Sequence, residues 1–99
     1  MKKSMLVSLM LIAVVLLVTP SYAAYPFEKA NYWDYELEKI PGLTDPQECA
    51  RRCDNNAKFK VASLHGPGAP DGSANTCVLR SAVGSRHTEQ ADIMSWVKP

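Results

Sequence analysis

The chain has 99 residues with 11 basic and 10 acidic side chains, a formal net charge of +1. That balance gives no electrostatic case for nucleic acid, which calls for a clustered basic face. The only basic concentration, Arg51-Arg52 with Lys58 and Lys60, reads as a solvated helix face and strand edge.

Lys2 and Lys3 lead an apolar run from Met5 to Val18, and Thr19-Pro20 and Ser21-Tyr22-Ala23 follow. This is the layout of a signal peptide over residues 1–23, with small residues at Ser21 and Ala23 placing cleavage between Ala23 and Ala24. A spanning helix needs about 20 apolar residues, and this run is shorter and stops at a proline. No retained membrane span is expected. In residues 24–99 the eleven basic side chains lose Lys2 and Lys3, so nine stand against ten acidic. A domain this small buries too little surface to stand comfortably on a hydrophobic core alone. Export to the periplasm or the medium, both oxidising, makes a disulfide the natural staple.

Within residues 24–99, "ANYWDYELEKI" (Ala30 to Ile40) alternates, with Trp33, Tyr35 and Leu37 on one face and Asp34, Glu36 and Glu38 on the other. Period two with aromatic residues on the apolar side predicts a half-buried strand, and Pro41 to Leu43 turns the chain. "TDPQECARRCDNN" then predicts a helix from Pro46 to Asp54 or Asn55. Asp45 caps it, Pro46 suits its first position, Glu48 stands where a capping box wants a carboxylate, and Asn55-Asn56 tolerate a left-handed stop. On this helix Cys49 and Cys53 lie one turn apart with Ala50 beside them, while Arg51 and Arg52 point to water.

A second strand is predicted over Lys58 to His65, with Phe59 and Val61 on one side. The glycine- and proline-rich Gly66 to Asn75 reads as an exposed connection, Thr76 to Val83 as a third strand, Gly84 to Ala91 as a polar loop, and Asp92 to Pro99 as a closing strand. The fold class is α+β: a single helix packed on a small antiparallel sheet, without internal repeat. Trp33 and Trp96, each among alternating neighbours, are expected in the core.

Enzymatic chemistry is not visible. His65 and His87 lack any neighbouring motif that would place a nucleophile or base, and "GPGAPDG" lacks the lysine and helix of a phosphate loop. Three cysteines and a histidine are a conceivable zinc set, but the spacing is wrong for a zinc knuckle and exported thiols oxidise. A thioredoxin-like pair would want two intervening residues and a parallel sheet. No cofactor or metal is expected. Helix neighbours four residues apart keep their β-carbons about 5–6 Å apart, whereas a disulfide wants about 3.5–4.5 Å, so Cys49 and Cys53 do not bond to each other. One of them reaches Cys77, and geometry leaves open which.

"CARRC" on a capped helix, a following strand with an aromatic, "TCVLRS" and "SWVKP" resemble the PAN/apple superfamily, in particular its bacterial secreted domains, over roughly Tyr32 to Pro99. The resemblance implies that residues 24–99 are a PAN/apple-like domain whose role is binding a protein or a carbohydrate, not catalysis. It also implies the pairing Cys49–Cys77. The family commonly has a cysteine where this chain has Phe59, and the outermost cysteine pair of longer apple domains is missing too. Cys53 is then left unpaired, with Phe59 filling the vacated space against the helix. Recognition is expected at the loops Gly66 to Asn75 and Gly84 to Ala91, with Arg80, Arg86 and His87 as polar contacts and no deep apolar pocket. A monomer is expected. The alternative is a small exported structural or inhibitory protein, with dimerisation through Cys53.

Overall fold

In the computed structural model, which describes residues 24–70 and 72–99, the chain runs β1 (Asn31–Tyr32), β2 (Glu36–Pro41), α1 (Pro46–Asp54), β3 (Val61–His65), β4 (Thr76–Arg80), β5 (Arg86–His87) and β6 (Ile93–Val97). The signal peptide assigned to residues 1–23 lies outside the described residues. No described helix is long and apolar enough to cross a membrane. Strands β2, β4, β3 and β6 form a four-stranded antiparallel sheet in that order, and β1 pairs with β5 in a separate two-stranded ribbon. A helix on antiparallel sheets is the α+β class expected.

The helix begins where its sequence dictates. The Asp45 carboxylate accepts from the Gln47 N–H at 3.0 Å, meeting one of the donors that the first turn cannot satisfy, and Pro46 follows at the first helical position. Glu48 does not close the capping box. Its carboxylate pairs with Arg51 and, at 3.5 Å, with Arg52, because cations three and four residues on lie within its reach. The stop also differs from expectation. Asn55 keeps a right-handed conformation (φ −80°), and the end tightens instead: the Asn56 N–H donates to the Cys53 carbonyl at 3.3 Å, a three-residue closure.

Cys49, Ala50 and Cys53 are completely buried and pack with Phe59, Ala62, Leu64, Cys77, Leu79 and Trp96. Ala50 lets the helix lie close, and Cys49 is covalently joined to Cys77 on β4, with Cα atoms 5.7 Å apart. Cys53 is free and buried, with Phe59 in the same cluster. The expected pairing of Phe59 with Val61 on one face does not hold. β3 begins only at Val61, and Phe59 is held in the turn after the helix by its N–H to the Asn56 carbonyl at 3.1 Å. Ala62 and Leu64 therefore face the helix, while Val61 packs on the other side with Ala30, Tyr32 and Val97.

The largest departure is in Ala30 to Ile40. The predicted continuous strand is broken between β1 and β2 by Asp34 (φ 71°) and Tyr35 (φ 57°), both left-handed. Two successive left-handed residues end the alternation, and β2 continues as an edge strand bonded only to β4, with a bulge between Glu36 and Glu38. Trp33, Tyr35 and Leu37 are consequently exposed rather than half-buried, and only Trp96 joins the core. Gly84 makes the kink possible, since a Cβ there would stand 1.8 Å from the Trp33 carbonyl oxygen. The predicted polar loop from Gly84 to Ala91 contains β5, which pairs Tyr32 with Arg86 and Asn31 with His87.

Candidate functional site

The sheet's second face, away from the helix, is polar. Alternation from the helix-facing Ala62, Leu64, Cys77 and Leu79 places Ser63 and His65 of β3, and Thr76, Val78 and Arg80 of β4, on this side; the register adds Lys39, Ile93 and Ser95. The segment from Glu28 to Tyr32 crosses part of it. Glu28 and Ser95 exchange two backbone hydrogen bonds of 2.9 Å, and the Ser95 hydroxyl donates to the Ala30 carbonyl at 2.8 Å while Ser63 donates to Ser95 at 2.7 Å. Every hydroxyl in this buried pair has a partner, so the crossing segment is pinned.

Beside that segment opens a cleft of about 400 Å³, with His65, Val78, Arg80 and Ile93 as floor and Asn31, Trp33, Asp34, Pro70, Ser73 and Gln90 among its walls. The Gln90 side-chain oxygen accepts from Asn31 Nδ2 at 2.6 Å and from the Trp33 ring N–H at 3.2 Å, fixing one wall. The Trp33 indole is stacked on His87, ring centroids 3.7 Å apart, and remains 45% exposed. The opposite wall belongs to the loop after β3. Asp92 holds that loop, accepting from the Gly68 N–H at 2.7 Å, and a Cβ at Gly66 would displace the Asp92 carboxylate, which it would meet at 2.5 Å.

Two floor residues are unusual. Arg80 is only 6% exposed, yet among the described residues its guanidinium makes no ion pair. It donates to two neutral oxygens, the Asp34 carbonyl at 3.2 Å and the Asn31 amide oxygen at 3.4 Å, and its buried Nε has no partner. Burial lowers its affinity for the proton, with Glu36 and Asp34 opposing from a distance. Glu36 itself is engaged by Lys39 at 3.3 Å. His65 is equally buried. The Ser73 hydroxyl donates to the Pro70 carbonyl at 2.8 Å, so it accepts from His65 Nδ1, also at 2.8 Å. In that arrangement the proton sits on Nδ1, and Nε2, buried and without partner, is an acceptor. Burial and then the Arg80 charge push the His65 pKa down, which keeps the ring neutral.

Of the three expected contacts, Arg80 is in the cleft but buried in its floor rather than displayed from a loop, because β4 carries it on the covered face. His87 is half-buried and touches the cleft only through Trp33, with Nδ1 3.0 Å from Glu89 Oε1. Arg86 is turned away and pairs with Glu28 at 3.1 Å. Ser73 and Gln90 lie in the two loops expected to carry recognition, though neither was singled out, whereas Trp33, Asn31 and His65 lie outside those loops. The available signal was the density of aromatic and polar residues in "NYWD", masked by its strand-like alternation.

A larger and mainly apolar groove of about 760 Å³ lies near Tyr25, Phe27, Trp96 and Pro99. It is a shallow, open groove rather than the deep apolar pocket that a scaffold this small was not expected to hold. Tyr25 meets Trp96 edge-on, centroids 4.8 Å apart, and donates its hydroxyl to Asp54 at 2.8 Å. The groove lacks the convergent unmatched polar atoms of the smaller cleft, which is the better candidate on chemistry. Cys53 is fully buried and burial pushes its thiol up to about 11, so it is chemically quiet. No family model, curated protein or solved structure matches the chain.

Proposed function

We propose that the chain is an exported, non-enzymatic PAN/apple-like binding module that takes a protein or carbohydrate ligand in the cleft between Trp33 and the Gly66 to Asn75 loop. The single observation that carries this reading is the convergence of an exposed, hydrogen-bonded indole with unmatched buried donor and acceptor atoms on one pinned sheet face. The Cys49–Cys77 disulfide supports an oxidising destination. The buried, weakly acidic Cys53 counts against the rival reading of a bridged dimer. Recognition therefore uses the walls of the cleft rather than Arg86.

The test is a glycan array combined with affinity capture from the native envelope, using the mature protein, Trp33→Ala and Arg86→Ala. Defined glycans or a single stoichiometric protein should be retained by the mature protein and by Arg86→Ala, and lost with Trp33→Ala. Retention by Trp33→Ala with loss on Arg86→Ala would move the site to the Glu28 side. An array and a capture that both stay blank would overturn the binding-module reading.

A further inference from the structure

Given that the cleft is a ligand site, we infer that its ligand carries a carboxylate on a hydroxylated ring, an acidic sugar unit, with Arg80 holding the acid and His65 accepting from a ring hydroxyl. This rests on the binding-module reading and goes beyond it by naming the chemistry.

Arg80 is more than nine-tenths buried in the cleft floor, and its partners are two neutral oxygens at long distance. A buried cation so weakly compensated is costly, and a carboxylate approaching side-on matches Nε and one terminal nitrogen together. Among the described residues, the carboxylates that act on Arg80 do not play that part: Glu36 is committed to Lys39, and Asp34 contributes its backbone oxygen. Arg80 Nε is sealed from solvent, so the guanidinium turns toward the opening as the acid enters. It exchanges two weak acceptors for one charge-assisted pair.

His65 supplies the second requirement. With Ser73 donating to Pro70, the proton sits on Nδ1 and Nε2 is the acceptor. Nε2 is as sealed from solvent as Arg80 Nε, so the ring too is uncovered as the ligand enters, and it then accepts from a ligand donor and repels a carboxylate. The register then sets the ligand's length. Arg80 lies opposite Val61 and His65 opposite Thr76, four residues apart along β4, with Val78 between. Four residues of strand span roughly 13 Å between Cα atoms. Allowing for two side chains converging from those ends, the gap suits a six-membered ring and exceeds a small hydroxy acid. The exposed indole of Trp33 on the wall offers an apolar surface to such a ring.

The experiment is NMR titration of the ¹⁵N-labelled mature protein with D-glucuronate, methyl D-glucuronate (the neutral ester) and N-acetylglycine at fixed pH and ionic strength. The readouts are the Trp33 ring N–H and Arg80 Nε–H signals. Glucuronate should shift both and bind at least about tenfold more tightly than the ester, the order expected for a charge-assisted bidentate pair. Arg80→Lys should weaken glucuronate more than the ester, since a point charge cannot reproduce the fork. Equal binding of acid and ester at these signals would overturn the carboxylate assignment and leave the binding module standing. N-acetylglycine binding as tightly as glucuronate would overturn the ring and favour a peptide terminus. If no probe moved either signal, the inference would fail whatever the array shows. The acid, ester and N-acetylglycine comparison uses the unsubstituted protein, so misfolding of Arg80→Lys does not cloud it.

Discussion

The two faces of the four-stranded sheet are built on opposite rules. The helix side is dry, apolar and covalently tied, with Cys49, Cys53, Phe59, Leu79 and Cys77 almost without exposure. The other side carries Ser63, His65, Thr76, Arg80 and Ser95, as buried as the core yet polar. On the first face every contact serves stability. On the second, the serine pair is fully satisfied while Arg80 Nε and His65 Nε2 are not. Unsatisfied buried polar atoms lower stability, and two of the three found among the described residues lie on this face, the third being His87 Nε2.

That contrast can be tested from the strongest effect downward. Breaking the staple with Cys77→Ser should cost about 3–4 kcal/mol on the chain-entropy account, given a separation of 28 residues, and lower the melting temperature by well over ten degrees in a circular-dichroism melt. A loss under about 1 kcal/mol would mean that the helix face stands on packing alone.

On the other face, Gly84→Ala forces the Trp33 backbone to move, because the new Cβ would meet its carbonyl oxygen at 1.8 Å. A cost of roughly 1–3 kcal/mol is expected, together with loss of the Trp33 ring N–H signal from its native position and loss of cleft binding. Back on the helix face, Cys53→Ala removes a small buried hydrophobe and should cost about 1 kcal/mol by chemical denaturation. In the unsubstituted protein this thiol should react with Ellman's reagent at pH 8 only after denaturant is added, since burial holds its pKa at about 11.

The pH dependence separates the faces again. Burial holds the His65 pKa below its ordinary 6.5 in the folded chain, so the unfolded chain binds more protons between the two values. Stability is fully present above about pH 6.5 and falls as pH drops toward the lowered folded value. Urea titrations across that window should show the decline, and His65→Gln should flatten it. The smallest effect on stability is expected at the residue proposed to hold the acid. Arg80→Met replaces a buried, poorly compensated charge with apolar bulk and should change stability by less than about 1 kcal/mol in either direction, while abolishing preference for the acid. A severe loss would show Arg80 to be a structural strut between Asp34 and Asn31.

How much of this was legible before folding differs between the faces for the same reason. The helix needed only local information: Asp45 as cap, Pro46 at the first position, and two cysteines one turn apart are interactions within a few residues, and they fall where expected. The Cys49–Cys77 pairing came through the resemblance to PAN/apple domains, since helix geometry admitted either cysteine. Phe59 beside Cys53 followed from the same comparison.

The cleft was not legible because its parts are contributed by residues far apart in sequence. In "NYWDYEL" the alternation of apolar and acidic residues satisfies a strand period, and nothing local announces two left-handed residues at Asp34 and Tyr35. They are tolerated because Gly84, fifty residues on, leaves room for the Trp33 carbonyl, and because Ser85 and Ser81 accept and supply the backbone hydrogen bonds on either side. Arg80 likewise belongs by its own chemistry to a surface, and only its register on a central strand, under the crossing segment from Glu28 to Tyr32, buries it. The sequence alone determined the capped helix, its buried cysteine face and the α+β class, since those rest on short-range periodicity and backbone chemistry. Tertiary structure decided which polar groups were buried together, because burial is a property of what the rest of the chain places on top.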